Sequence, residues 1–206
     1  MRPVGLEDIL GRERYAAERD AIRRRIIAHK RTRRVALGDR LTLLFEDRAT
    51  VWYQIQEMLW VERTTDLDAI RDELRVYNQL LPAPHELSTT LMIEIEDQAR
   101  IRPELERLIG IDEHLVLEVG GERTAGVFEP GRQRADKLSA VQYVRFPLGA
   151  DAERALVDGA ALTLRVTHPS YEADVVLAGP VRAALAADLA DPASVDAALR
   201  GVRDGI

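Results

Sequence analysis

The sequence predicts an α+β fold: one domain over residues 1–206, with a mainly antiparallel sheet built from hairpins and flanked by helices. Three observations predict it. Short strand-like runs are joined by two-residue turn signals, Gly38-Asp39 and Gly120-Gly121. Helices do not alternate strictly with strands, which argues against a doubly wound parallel sheet. No low-complexity linker or internal repeat divides the chain, and 46% hydrophobic content supports a real core. A long basic N-terminal helical segment (1–34) precedes the core (35–178), and a loosely attached Ala-rich helical tail (179–206) follows it.

Taken in order, Leu6–Leu10 is a short lead-in. A helix then runs from Arg12 to Lys30, with a narrow apolar stripe of Ile22, Ile26 and Ile27. Arg34–Leu37 and Leu41–Phe45 form a hairpin about Gly38-Asp39. Glu46 and Asp47 then offer a cap and dipole complement for a helix over Thr50–Arg63, TVWYQIQEMLWVER, the stretch that organises the chain. At about 100° per residue, Val51, Ile55, Met58 and Leu59 share one arc, with Trp52 at its edge. Glu62 falls inside that arc, so it is either buried with a partner or at a frayed end. The other face carries Tyr53, Gln56, Glu57 and Trp60, and it can meet another layer, another subunit or a ligand.

A second helix, Asp66–Leu80, starts on an Asp66 cap and stops at Pro82 and Pro84. His85–Glu96 reads as a strand with Leu87, Thr89, Leu91, Ile93 and Ile95 on one face. Glu86, Ser88, Thr90, Met92, Glu94 and Glu96 face the other way. That polar face is either the wet side of the sheet or the wall of a site opposite the central helix. Pro103–Ile109 is a short helix, and His114–Val119 and Glu122–Phe128 are hairpin strands. Glu129–Lys137 is a polar loop, Ser139–Phe146 a strand and Ala150–Val157 a helix. Ala161–Thr167 and Glu172–Leu177 are strands joined through His168-Pro169-Ser170-Tyr171. Val181–Leu189 and Pro192–Val202 form the helical tail, with Asp191 before Pro192 as a cap.

Composition narrows the function. There is no cysteine, so thiol catalysis, Cys-ligated zinc and a cluster held by this chain alone are excluded. No apolar signal segment or membrane-length run is present, and a soluble cytoplasmic protein is expected. Residues 1–34 carry 11 Lys and Arg against 5 Asp and Glu, and the remainder carries 18 against 30. The basic Arg23–Arg34 run reads either as a nucleic-acid patch or as a face that docks on the acidic body. Overall acidity and the lack of interleaved aromatics favour the second.

Phosphate cradles, the GxSxG elbow, HExxH and helical Glu-x-x-His pairs are all absent. What survives is a set of polar residues on ordered elements: Glu57, Glu62, Glu86, Ser88, Glu94, Gln142, Tyr143, His168 and Tyr171. Among these, Glu57, Glu62, Glu86 and His168 are the candidates for a divalent metal or for acid–base work. No organic cofactor is expected.

Over about residues 35–175 the chain resembles a bacterial family catalogued as a domain of unknown function. LTLLFEDRATVWYQIQEML, YNQLLP, ELSTTLMIEI, AVQYVRFPL and THPSYEAD carry the resemblance. Such proteins are often encoded beside a rubrerythrin-like protein and an iron–sulfur oxidoreductase of the heterodisulfide-reductase type, which implies an oxidative-stress or electron-transfer setting. The residues it singles out are Gln54, Gln56, Glu57, Glu62, Arg63, Asn78, Glu86, Ser88, Thr90, Glu94, Gln142, Tyr143, His168 and Tyr171. Three expectations stand: a non-catalytic binding or accessory protein touching a redox partner through Tyr53, Gln56 and Trp60; a carboxylate and histidine metal protein or enzyme; and a nucleic-acid-associated protein.

Overall fold

Local capping starts the central helix where the sequence changes character. The Asp47 carboxylate accepts from Thr50 N at 2.8 Å, and the Thr50 hydroxyl accepts from Asp47 N at 2.9 Å. This reciprocal box begins the helix at Arg48, two residues before the predicted start. The computed structural model describes residues 1–130, 133–134 and 137–205. Residues 131–132 and 135–136 of the predicted Glu129–Lys137 loop lie outside the described residues.

The helices are α1 (Arg12–Lys30), α2 (Arg48–Val61), α3 (Leu67–Tyr77), α4 (Ile101–Arg107), α5 (Ala150–Val157), α6 (Gly179–Ala190) and α7 (Pro192–Arg203). The first six strands are β1 (Arg34–Leu37), β2 (Leu41–Phe45), β3 (Glu86–Ile93), β4 (Leu115–Val119), β5 (Glu122–Ala125) and β6 (Val127–Phe128). The rest are β7 (Gln133–Arg134), β8 (Lys137–Leu138), β9 (Val141–Pro147), β10 (Leu162–His168) and β11 (Tyr171–Val176).

The α+β expectation holds, but the strands form two antiparallel sheets. One has the order β1-β2-β3-β9-β6 and the other β11-β10-β4-β5, with β7-β8 a separate ribbon. The predicted strand Glu122–Phe128 is what divides between them. It crosses from β4 to β9 at Gly126, where a Cβ would stand 2.8 Å from Val144 Cγ1. Only glycine lets the chain pass that close.

Two apolar cores result. Leu43, Phe45, Leu91, Val144 and Phe146 of the first sheet meet Leu117, Leu164 and Val166 of the second, with α5 and α6 covering them. Tyr15, Ile22, Ile26, Trp52, Ile55, Leu74, Leu199 and Val202 form the second core, among α1, α2, α3 and α7. Ile27, predicted for the buried stripe of α1, is 51% exposed, and Tyr15 takes part in its place.

The tail is not loosely attached. Leu199 and Val202 are buried, and Arg25 Nε donates to Val202 O at 2.7 Å, satisfying a carbonyl at the end of α7. The basic segment docks on the acidic body within the chain: Arg33 pairs with Asp188, Arg34 with Glu94, and Arg14 with Asp204. No described helix is long and apolar enough to cross a membrane.

Candidate functional site

The helix-facing side of the first sheet follows from register. Thr42 and Leu44 of β2, Ser88, Thr90 and Met92 of β3, and Tyr143 and Arg145 of β9 share it. The alternation runs one residue past β2, so Glu46 lies on that side too, and its N–H donates to Ser88 O at 2.8 Å. An acid beside the central helix therefore does point at the hydrophilic face of β3, but it is Glu46 and not Glu62. Glu46 is 3% exposed. Its Oε1 accepts from the Thr90 hydroxyl at 2.6 Å and its Oε2 from the Thr50 hydroxyl. Burial pushes its carboxyl up from the usual range, against the pull of those two hydroxyls.

Asp47, one residue on, has a different environment. Burial also opposes its charge, but His29 Nε2 at 2.7 Å and Arg33 at 3.0 Å hold its carboxyl below the usual range. Arg33 reaches on to Asp188, whose carboxyl burial pushes up. His29, Arg33, Glu46, Asp47, Thr50, Thr90 and Asp188 form a polar seam between the helices and the sheet.

Glu62 takes the second of its two readings, the helix end, and not the buried one. α2 ends at Val61, Glu62 is its C-cap, and the chain breaks away through Arg63 at a φ of 56°. Helical phase therefore carries Glu62 off the end of the arc into solvent, close enough to Glu73 to raise that carboxyl after burial's larger effect. Arg63 is exposed as well.

Gln56 is buried, and it lines the cavity beside Trp60 while bonding backbone. Its Oε1 accepts from Leu10 N at 2.9 Å and its Nε2 donates to Leu10 O at 3.2 Å. Asn78 holds Val4 the same way, at 2.8 and 2.9 Å. Two side-chain amides thus stand in for a neighbouring strand and tie residues 4–10 to the helices, satisfying backbone that would otherwise be orphaned.

The remaining candidates scatter. Glu57 accepts from Tyr15 Oη at 2.5 Å and from Arg19 Nε and Nη2 at 2.8 and 2.7 Å. Arg19 foremost, against burial, holds its carboxyl low, while burial and Glu57 push the Tyr15 phenol up. Tyr53 is half-buried with Lys30 Nζ 5.4 Å from its ring centre, and Gln54 lies beside Tyr77. Glu86 meets Arg145 and accepts from Ala83 N at 3.0 Å.

Glu94 is exposed and pairs with Arg34 at 2.6 Å. Gln142 turns to the core side and donates to Ser139 O at 2.8 Å. Tyr143 is half-buried on the helix-facing side. Tyr171 donates to Leu37 O at 2.8 Å and accepts from Arg40 N at 3.1 Å, closing the β1–β2 hairpin.

His168 is on the second sheet. Its Nδ1 accepts from Ser170 N at 3.2 Å, so Nε2 carries the proton and donates to Ile109 O at 3.0 Å. Both ring nitrogens are thus engaged, leaving no lone pair for an ion. Glu57, Glu62, Glu86 and His168 each have separate surroundings. Among the described residues no three His, Asp or Glu side chains are grouped to hold a metal.

Two cavities adjoin these residues. One, about 310 Å³, lies where residues 6–15 cross α2 and α3, and is lined by Ile9, Leu10, Tyr15, Leu59, Trp60 and Ile70. Trp60 stacks 4.4 Å under the Arg12 guanidinium and meets Tyr15 edge-on at 6.1 Å. The other, about 200 Å³, is lined by Phe45, Glu46, His85, Ser88, Glu153 and Asp188, with further apolar walls. Sequence reasoning missed Glu46 and Asp188 as site residues, and placed Arg33 only within the basic run. The alternation Thr42, Leu44, Glu46 was the available signal for the first, and nothing local marks Asp188.

Residues 3–189 match the family described as "Protein of unknown function (DUF3501)". The chain belongs to the DUF3501 family. Among solved structures, this DUF3501 chain resembles a novel protein of unknown function from Burkholderia pseudomallei. The TM-score is 0.86 and the identity 38%, over 91% of this chain and 100% of that one. No curated protein matches this DUF3501 sequence.

Proposed function

We propose that this DUF3501 protein is a non-catalytic accessory protein whose Trp60 cavity receives an apolar side chain from an acidic surface of a partner protein. One observation carries this reading. An apolar cavity lined by Tyr15, Leu59 and Trp60 opens among exposed apolar side chains, Leu6 at 38% and Leu67 at 58%. An open apolar patch around a pocket is what a docking surface presents.

Charge supplies the partner's polarity. Arg12 at the rim makes no ion pair among the described residues, and neither does Arg63 just beyond Trp60. The gene context implied by the family resemblance points to a rubrerythrin-like protein or an iron–sulfur oxidoreductase of the heterodisulfide-reductase type. The test is capture of those two purified partners. Trp60→Ala is expected to weaken capture at least about thirtyfold, the size of a buried aromatic anchor, and Arg12→Ala to lower the association rate in low salt. Unchanged capture by both variants overturns the proposal.

A further inference from the structure

The cavity beside Glu46 is a different place with different chemistry. Three of its carboxylates already have basic partners: Glu86 has Arg145, Asp188 has Arg33, and Glu153 has His85 at 2.5 Å. Glu46 makes no ion pair among the described residues and is held by two hydroxyls only. The charged groups around it are Lys30 from α1, Asp47 beside it, Arg33 beyond Asp47, Asp188 from α6, and Met1, which lines the cavity and whose ammonium donates to Pro82 O at 3.4 Å. Lys30 sits over the Tyr53 ring and makes no ion pair with Glu46.

A second observation is independent of the acids. Ser88 is 4% exposed, lines the same cavity, and its hydroxyl has no hydrogen-bond partner among the described residues. An arriving donor that reaches this hydroxyl gains a hydrogen bond there. Phe45, Leu87, Leu185, Leu189 and Pro82 supply apolar walls. At about 200 Å³ the space is smaller than the roughly 300–1,000 Å³ of drug-sized sites.

We infer that this cavity binds the ammonium group of a short alkyl amine, with Glu46 as the counter-ion, Ser88 Oγ as an acceptor and the alkyl chain against Phe45, Leu87 and Leu185. The side position of His85 fits an entrance: its side chain is 70% exposed, and its backbone takes a φ of 60°, a strained value for a non-glycine residue. Burial pushes the Glu46 carboxyl up from its usual range, so pairing with an ammonium ion favours loss of its proton to solvent.

The experiment is calorimetric titration of n-pentylamine, as its ammonium ion, into the full chain at two pH values and in two buffers of different ionisation heat. n-Pentanol is the neutral control. The amine is expected to bind at least tenfold more tightly than the alcohol, with up to one proton released and affinity falling as pH is lowered. Glu46→Gln should reduce amine affinity at least tenfold and abolish proton release. Ser88→Ala should reduce affinity several-fold while keeping the release. Equal binding of amine and alcohol, no binding of either, or full amine affinity in Glu46→Gln overturns the inference. Should Glu46→Gln fail to fold, unchanged affinity in Ser88→Ala does the same. None of these results bears on Trp60.

Discussion

Replacing Arg48 with Met tests how the ends of the chain are held to the central helix. Arg48 is 2% exposed and pairs with the buried Asp8 and, at 2.7 Å, with Asp196 of α7. It therefore fastens the N-terminal segment and the last helix to α2 at one point. Removing one partner of a buried pair costs about 3–5 kcal/mol, chiefly because the other charge is stranded. Two features put Arg48 at the lower end. Asp8 keeps Arg203 at 3.5 Å and Arg2 at 3.6 Å, and the Arg48 Nε already lacks an acceptor among the described residues. A loss of about 3 kcal/mol follows, or a fall in Tm of about 6–12 °C for a domain of this size.

Urea unfolding at neutral pH measures the change from the midpoint and slope. Asp8→Asn added to Arg48→Met should recover about 2 kcal/mol, because the stranded charge is then gone. A single-variant loss below about 1 kcal/mol, or no recovery in the double variant, refutes the reasoning.

Two further outcomes are expected. Glu46→Gln should stabilise the protein at neutral pH and leave it unchanged near pH 3. The raised folded value means that neutral Glu46 belongs to the fold, so stability is complete below the ordinary carboxylate range and declines as pH rises towards the raised value. Parallel melts across pH check this, and a destabilised Glu46→Gln at pH 7 contradicts it. Gly38→Ala should cost about 2–3 kcal/mol by thermal denaturation, since Gly38 has a φ of 72° and a Cβ there would collide with the Tyr171 hydroxyl. Tyr171→Phe should cost less, about 1–2 kcal/mol, by unpairing Leu37 O and Arg40 N.

Most elements were legible because their signals are local. The Arg12–Lys30, Arg34–Leu37, Leu41–Phe45 and Ala150–Val157 bounds agree with the fold. Periodicity, turn glycines and caps set them, and none needs a distant partner. The division into two sheets was not legible, because it turns on how near Gly126 lies to Val144 in space.

The polar residues were harder for the same reason. Gln56 and Asn78 stand out as side chains, but their work is to bond the backbone of Leu10 and Val4, which no spacing rule reveals. Glu62 was assigned by helical phase, which fails once the helix stops one residue earlier. Glu46 was read as a cap when it continues the β2 alternation into the polar seam. Charge asymmetry pointed the basic Arg23–Arg34 run at an acidic body, within the chain or in another copy, and Arg33 and Arg34 meet acids of the same chain, because that signal needs no knowledge of register.

The docking claim is tested most directly by the hydrogen-exchange footprint of the chain bound to a captured redox partner. Protection is expected over residues 6–12 and 56–70, around Trp60, with β10 and β11 unchanged. Protection confined to β10–β11, with residues 56–70 exchanging as in the free protein, contradicts the account.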